Sequence, residues 1–113
     1  MELFVCVINK PELLDDVLTG LIEAGVPGCT IVDSHGMGKI ITQDIPIFSG
    51  FKSLFAGARE SNHMIFSVIN EKETLDMAID IVLKIYGSFD EPNSGILFTL
   101  PVSRCLGLAG GRD

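Results

Sequence analysis

The chain has 113 residues, 47% of them hydrophobic, and a formal charge of −7. That length suits one domain around one core, and the negative charge argues against a nucleic-acid backbone as a main partner. No apolar run approaches the roughly 18 residues that insert into and cross a bilayer, and so apolar a surface is expected to be partly covered by other copies of the chain. Met1-Glu2-Leu3-Phe4 lacks a basic segment ahead of its apolar run, so a secretory signal is not expected and a cytoplasmic location is.

Residues 3–8 form a continuous apolar run with β-branched members, as a buried strand does. Asn9-Lys10-Pro11 interrupts it, with proline suited to a first helical turn. Leu13, Leu14, Val17, Leu18, Leu21 and Ile22 recur at helical spacing, and Glu12, Asp15, Asp16, Thr19 and Glu23 take the other face, predicting a helix that stops at Gly25. Val26-Pro27-Gly28 is a turn, and a second strand runs from Cys29 to about His35. Gly36-Met37-Gly38-Lys39 then opens a connection of about twenty residues, far longer than most in a small domain.

Residues 63–70 read as a third strand. Asn70 is placed as an N-cap with Glu73 completing a capping box, and Leu75, Ala78, Ile79, Val82, Ile85 and Tyr86 mark the inward face of a second helix ending at Gly87. A polar turn at residues 90–95 leads to a fourth strand, 96–100, closed by Pro101, and residues 107–113 form a glycine-rich tail expected to move freely. Two βαβ halves of similar length predict one α+β domain of ferredoxin-like βαββαβ order, a four-stranded antiparallel sheet with both helices on one face. Strands apolar on both faces leave the other face to be covered by neighbouring subunits.

Four stretches carry a resemblance that covers nearly the whole chain: Asn9-Lys10-Pro11 followed by Leu13-Leu14-Asp15-Asp16-Val17, residues 24–30 (A-G-V-P-G-C-T), Gly36-Met37-Gly38-Lys39, and residues 94–102 (S-G-I-L-F-T-L-P-V). In this order they resemble the PII family of nitrogen-regulatory signalling proteins and their PII-like relatives. The resemblance implies a ferredoxin-like homotrimer with ligand clefts between subunits. There ATP, ADP or AMP would alter a long T-loop, here residues 39–61, that docks on a membrane transporter or a regulated enzyme. Carried over residue by residue, it makes Ile8, Thr30, Gly36, Met37, Gly38, Lys39 and Gly95 the candidate ligand-binding residues. Glycines let backbone N–H groups approach phosphate oxygens, and a nearby cation adds charge.

The departures narrow that expectation. Lys39-Ile40 stands where signalling members carry Arg-Gln, which argues against 2-oxoglutarate sensing. The family's phosphate-holding lysine falls on Ile96 and its two C-terminal arginines on Gly107 and Ala109. Each lost cation removes a charge-assisted hydrogen bond of roughly 1.5–3 kcal/mol. No tyrosine lies in the T-loop region, the single one being Tyr86. The expectation is a PII-like protein with a reduced or altered ligand site.

Gly36–Lys39 is not a P-loop, because Asp33 falls where its first glycine belongs and Ile40 replaces the Ser/Thr. Phe48, Phe51, Leu54 and Phe55 either pack on the assembly or form a docking stripe for a partner, with Lys52 and Arg59 steering it to an acidic surface. Asp33 and His35 share a strand face with His63 nearby, but no further ligand is evident and no metal is expected. Cys6, Cys29 and Cys105 are odd in number and far apart, which supports neither a zinc knuckle nor a disulfide framework; three reduced, mostly buried thiols are expected. No catalytic constellation follows from local spacing, so no enzyme is expected. The alternative on the same scaffold is a trimeric metal-tolerance protein similar to the CutA family. Asn9-Lys10-Pro11, lacking a phosphate-loop arginine, argues against an acylphosphatase.

Overall fold

A computed structural model describes residues 1–34, 62–87, 89–90 and 95–108. Strand β1 (Glu2–Ile8) leads through a 3-10 turn at Pro11–Leu13 into helix α1 (Leu14–Glu23) and then β2 (Thr30–Ser34). Strand β3 (Asn62–Ile69), helix α2 (Lys72–Tyr86) and β4 (Gly95–Pro101) follow. The sheet has the order β2-β3-β1-β4 and every neighbouring pair is antiparallel, which is the ferredoxin-like arrangement expected from the two βαβ halves.

Period-two alternation divides the sheet into two unlike faces. Phe4, Cys6 and Ile8 of β1 and Ile65 and Ile69 of β3 point toward the helices and meet Val17 and Leu21 of α1 and Leu75, Ala78, Val82 and Tyr86 of α2. The two helices touch at Gly20, where an added Cβ would overlap Ile81, so only glycine fits that crossing. Helix α1 ends where the sequence places its stop: Gly25 (φ 93°) donates to Ile22 O at 3.0 Å and Val26 to Leu21 O at 3.1 Å, the paired bonds of a Schellman motif.

Three details differ from the sequence reading. Glu71, not Asn70, holds the N-cap of α2, in extended backbone (φ −94°, ψ 128°) and without a side-chain cap bond. The apolar stripe of α1 is wider than the surface it buries, so Ile22 stays 74% exposed. Of the three thiols only Cys6 is buried, because it lies on the helix-facing side of the central strand; Cys29 is exposed ahead of β2 and Cys105 is half-buried after β4.

The opposite face carries Val5 and Val7 of β1, Met64, Phe66 and Val68 of β3, Val32 of β2, and Ile96, Phe98 and Leu100 of β4. No described helix covers it, and Val32, Ile96, Phe98 and Leu100 are each at least 40% exposed. Among the described residues no helix is long and apolar enough to cross a membrane.

Candidate functional site

The ladder gathers four chain ends at one end of the sheet. β1 and β2 both finish there, at Ile8 and Ser34, and β3 and β4 both start there, at Asn62 and Gly95. Ser34 is the ladder partner of Asn62, and its Oγ donates to Asn62 O at 3.4 Å. Residues 35–61 therefore leave and rejoin the sheet at one neck.

One step inside that neck, Asp33 faces His63 across the β2–β3 ladder, with His63 Nδ1 3.0 Å from Asp33 Oδ1. The distance is that of an ion pair, yet the buried Nδ1 forms no directed hydrogen bond among the described residues, so this is a close approach rather than a made bond. Asp33 itself is 79% exposed, and solvent screening leaves such a pair weak.

Beside the neck, a polar knot ties β1, α2 and β4 together. The Tyr86 hydroxyl accepts from the Asn9 backbone N–H at 3.2 Å and donates to Asn9 Oδ1 at 3.0 Å. Lys10 Nζ lies 5.0 Å above the Tyr86 ring, and Phe89 stacks on that ring at 4.6 Å with 9° between planes. Gly95 (φ 125°) completes the knot: a Cβ there would stand 2.5 Å from Val7 O and 3.0 Å from the Tyr86 hydroxyl. Both its backbone conformation and the crowding require glycine. The sequence reading missed this knot, although a lone tyrosine closing a helix and an Asn-Lys-Pro closing a strand were the visible signals.

Of the predicted ligand residues, the structure brings Ile8 and Gly95 together as ladder partners. The Ile8 side chain is wholly buried in the core, so its backbone is what it can offer a ligand. Thr30 stands apart from them: it is on β2, the edge opposite β4, and its partner Phe66 places it on the face away from the helices. There it lines a cavity of about 210 Å³ with Cys29, Phe66, Val68, Cys105 and Leu106. Gly36, Met37, Gly38 and Lys39 lie outside the described residues, as do Phe48, Phe51, Lys52, Leu54, Phe55 and Arg59. Among the described residues no three His, Cys, Asp or Glu side chains converge as a metal site.

Titration is perturbed at two thiols. Burial among apolar side chains pushes Cys6 up to about 12, and partial burial also raises Cys29 above the ordinary thiol value.

Compared with known families, residues 2–111 match the family described as nitrogen regulatory protein P-II. No curated protein matches the chain.

Proposed function

The chain belongs to the nitrogen regulatory protein P-II family, and from that we propose a signalling protein that binds an adenine nucleotide between copies of itself and controls a partner through residues 39–61. Proteins of this family are regulatory rather than catalytic. The observation that carries the reading is the neck: residues 35–61 depart from Ser34 and return at Asn62 beside the Ile8–Gly95 pair, so a ligand held at Gly36–Lys39 acts at the root of the whole segment.

The separation of Thr30 from Gly95 supports a cleft built from two copies. Within one chain they occupy opposite edges of the sheet, and only a second copy can bring a Thr30 to a Gly95. The uncovered apolar face supplies the means of association, since Phe98, Ile96, Leu100 and Val32 would leave water on packing against other copies. A homotrimer is the assembly proposed here, as is general in the family. The ligand is proposed as AMP, ADP or ATP, with Lys39 supplying charge that Ile96, Gly107 and Ala109 do not. The partner is a transporter or enzyme met by Phe48, Phe51, Leu54 and Phe55, with Lys52 and Arg59 at the rim.

Isothermal titration with AMP, ADP and ATP tests the ligand. Saturable heat with at least one nucleotide, weakened severalfold in Lys39→Ala, is expected. Absence of heat with all three at protein concentrations near 0.1 mM, on the order used to detect micromolar binding, overturns the reading.

A further inference from the structure

The described part of the tail runs from the end of β4 back across the sheet to the start of β2. Val102 N–H donates to Met1 O at 3.1 Å, and beyond it Leu106 is 90% exposed while Gly107 turns with φ 87°. Leu108 is half-buried between two spaces, the 210 Å³ cavity by Thr30 and a second of about 170 Å³ lined by Gly25, Pro27, Ile69 and Thr74. Space remains on both sides of the tail, which is tied by the Val102 bond and half-buried at Val102, Cys105 and Leu108. Two cysteines line the first cavity: Cys29 arrives from the α1–β2 turn and Cys105 from the tail. Both are reachable by solvent, whereas Cys6 is sealed in the core. A disulfide needs Cα atoms within about 7 Å, and a tail with open space on both sides can supply the adjustment.

We infer that Cys29 and Cys105 of one chain form a reversible disulfide that clasps the tail onto the start of β2. The co-reactant is a small-molecule disulfide such as oxidised glutathione. The Cys105 thiolate attacks one of its sulfurs, giving a mixed disulfide and releasing one thiolate. The Cys29 thiolate then attacks the Cys105 sulfur, forming the internal S–S bond and releasing the second thiolate. Two cysteine thiols are oxidised, one small disulfide is reduced to two thiols, and the two cysteine protons pass to solvent or to the released thiolates. Because partial burial raises Cys29, the second step quickens as pH rises toward the thiol range. The inference does not depend on nucleotide binding.

The test uses the full chain incubated with oxidised glutathione, then alkylated without reduction. Intact mass should show loss of two hydrogens with one thiol (Cys6) left to unmask on denaturation, and peptide mapping should find Cys29 joined to Cys105. Cys105→Ser and Cys29→Ser should each stop at one glutathione adduct, and amide exchange across residues 102–108 should slow severalfold in the oxidised wild type. Stable adducts on both cysteines without an internal bond would overturn the clasp. So would a cross-link between chains on non-reducing gels, or tail exchange unchanged by oxidation. Circular dichroism of each serine variant confirms that a lost link is not a lost fold.

Discussion

The two faces of the sheet are built from the same kind of residue and have opposite fates. On one, Phe4, Cys6, Ile8 and Ile65 are wholly shielded by helices of the same chain. On the other, Phe98, Leu100, Ile96 and Val32 keep 40% or more of their surface in water. The difference teaches that apolar alternation fixes which residues share a face, but not whether the covering layer lies in the same chain. The first face is closed by intramolecular packing; the second has an apolar layer that no described helix covers. Substitutions at matched positions separate the two.

The largest expected effect is on the closed face. Phe4→Ala removes a ring from the centre of the helix–sheet core and should cost about 3–5 kcal/mol in chemical denaturation. Phe98→Ala, equal in size but on the open face, should cost far less in the dissociated chain. Equal losses at the two positions would break the comparison.

Cys6 sharpens the closed face through pH. Its folded-state pKa is raised from 9.0 to about 12 by burial, so the neutral thiol favours the folded chain. That contribution is complete below pH 9, the unfolded value, and is lost as pH rises through about 12. The full span amounts to about 4 kcal/mol by linkage. Urea midpoints measured between about pH 9 and roughly 11, within that titration window, should fall for the wild type and stay flatter for Cys6→Ala. Parallel slopes would mean that Cys6 is not the group responsible.

Much of this was legible in the residues, for identifiable reasons. Helical spacing of Val17 and Leu21, and of Leu75, Ala78 and Val82, named the residues that the core buries, and the Gly25 stop was placed correctly because a Schellman turn demands a residue at positive φ. The matched βαβ halves gave the topology. Less legible were features that depend on distant partners. Asn9 and Tyr86 are 77 residues apart, and nothing in local spacing announces their double hydrogen bond. Cys29 and Cys105 read as buried because cysteine usually is, whereas a turn leaves Cys29 exposed and a tail leaves Cys105 half-buried. Among the residues named by family resemblance, Gly95 and Ile8 are ladder partners while Thr30 lies on the opposite edge strand, a placement set by register that motif reading does not reveal.

Smaller losses are expected at the knot beside the neck. Gly95→Ala places a methyl at a positive φ against Val7 O and the Tyr86 hydroxyl, for about 1–3 kcal/mol. Tyr86→Phe keeps the stack with Phe89 but leaves the Asn9 N–H and Oδ1 without that hydroxyl, for about 1–2 kcal/mol. Thermal unfolding of both variants checks the order. If Tyr86→Phe proved as stable as wild type, water would be replacing the hydroxyl and the knot would not bind β1 to α2.

The smallest effect on the chain itself should come from Phe98→Asp, and it is the most informative about the open face. Phe98 sits on the edge strand β4, 41% exposed, with its ladder partner Val5 also on the open face. In an isolated chain the change trades one half-wet ring for a solvated carboxylate, and the cost should stay under about 1 kcal/mol. In an assembly that buries this face, the same carboxylate must lose its water against Val5, Phe66 and their counterparts in other copies, and no cation stands among the described strand residues of that face to receive it. Light scattering should therefore show the wild type as an oligomer and Phe98→Asp as a monomer with an unchanged circular-dichroism spectrum. A variant that kept the oligomer mass would place the contacts between copies elsewhere and leave this apolar layer to a different partner.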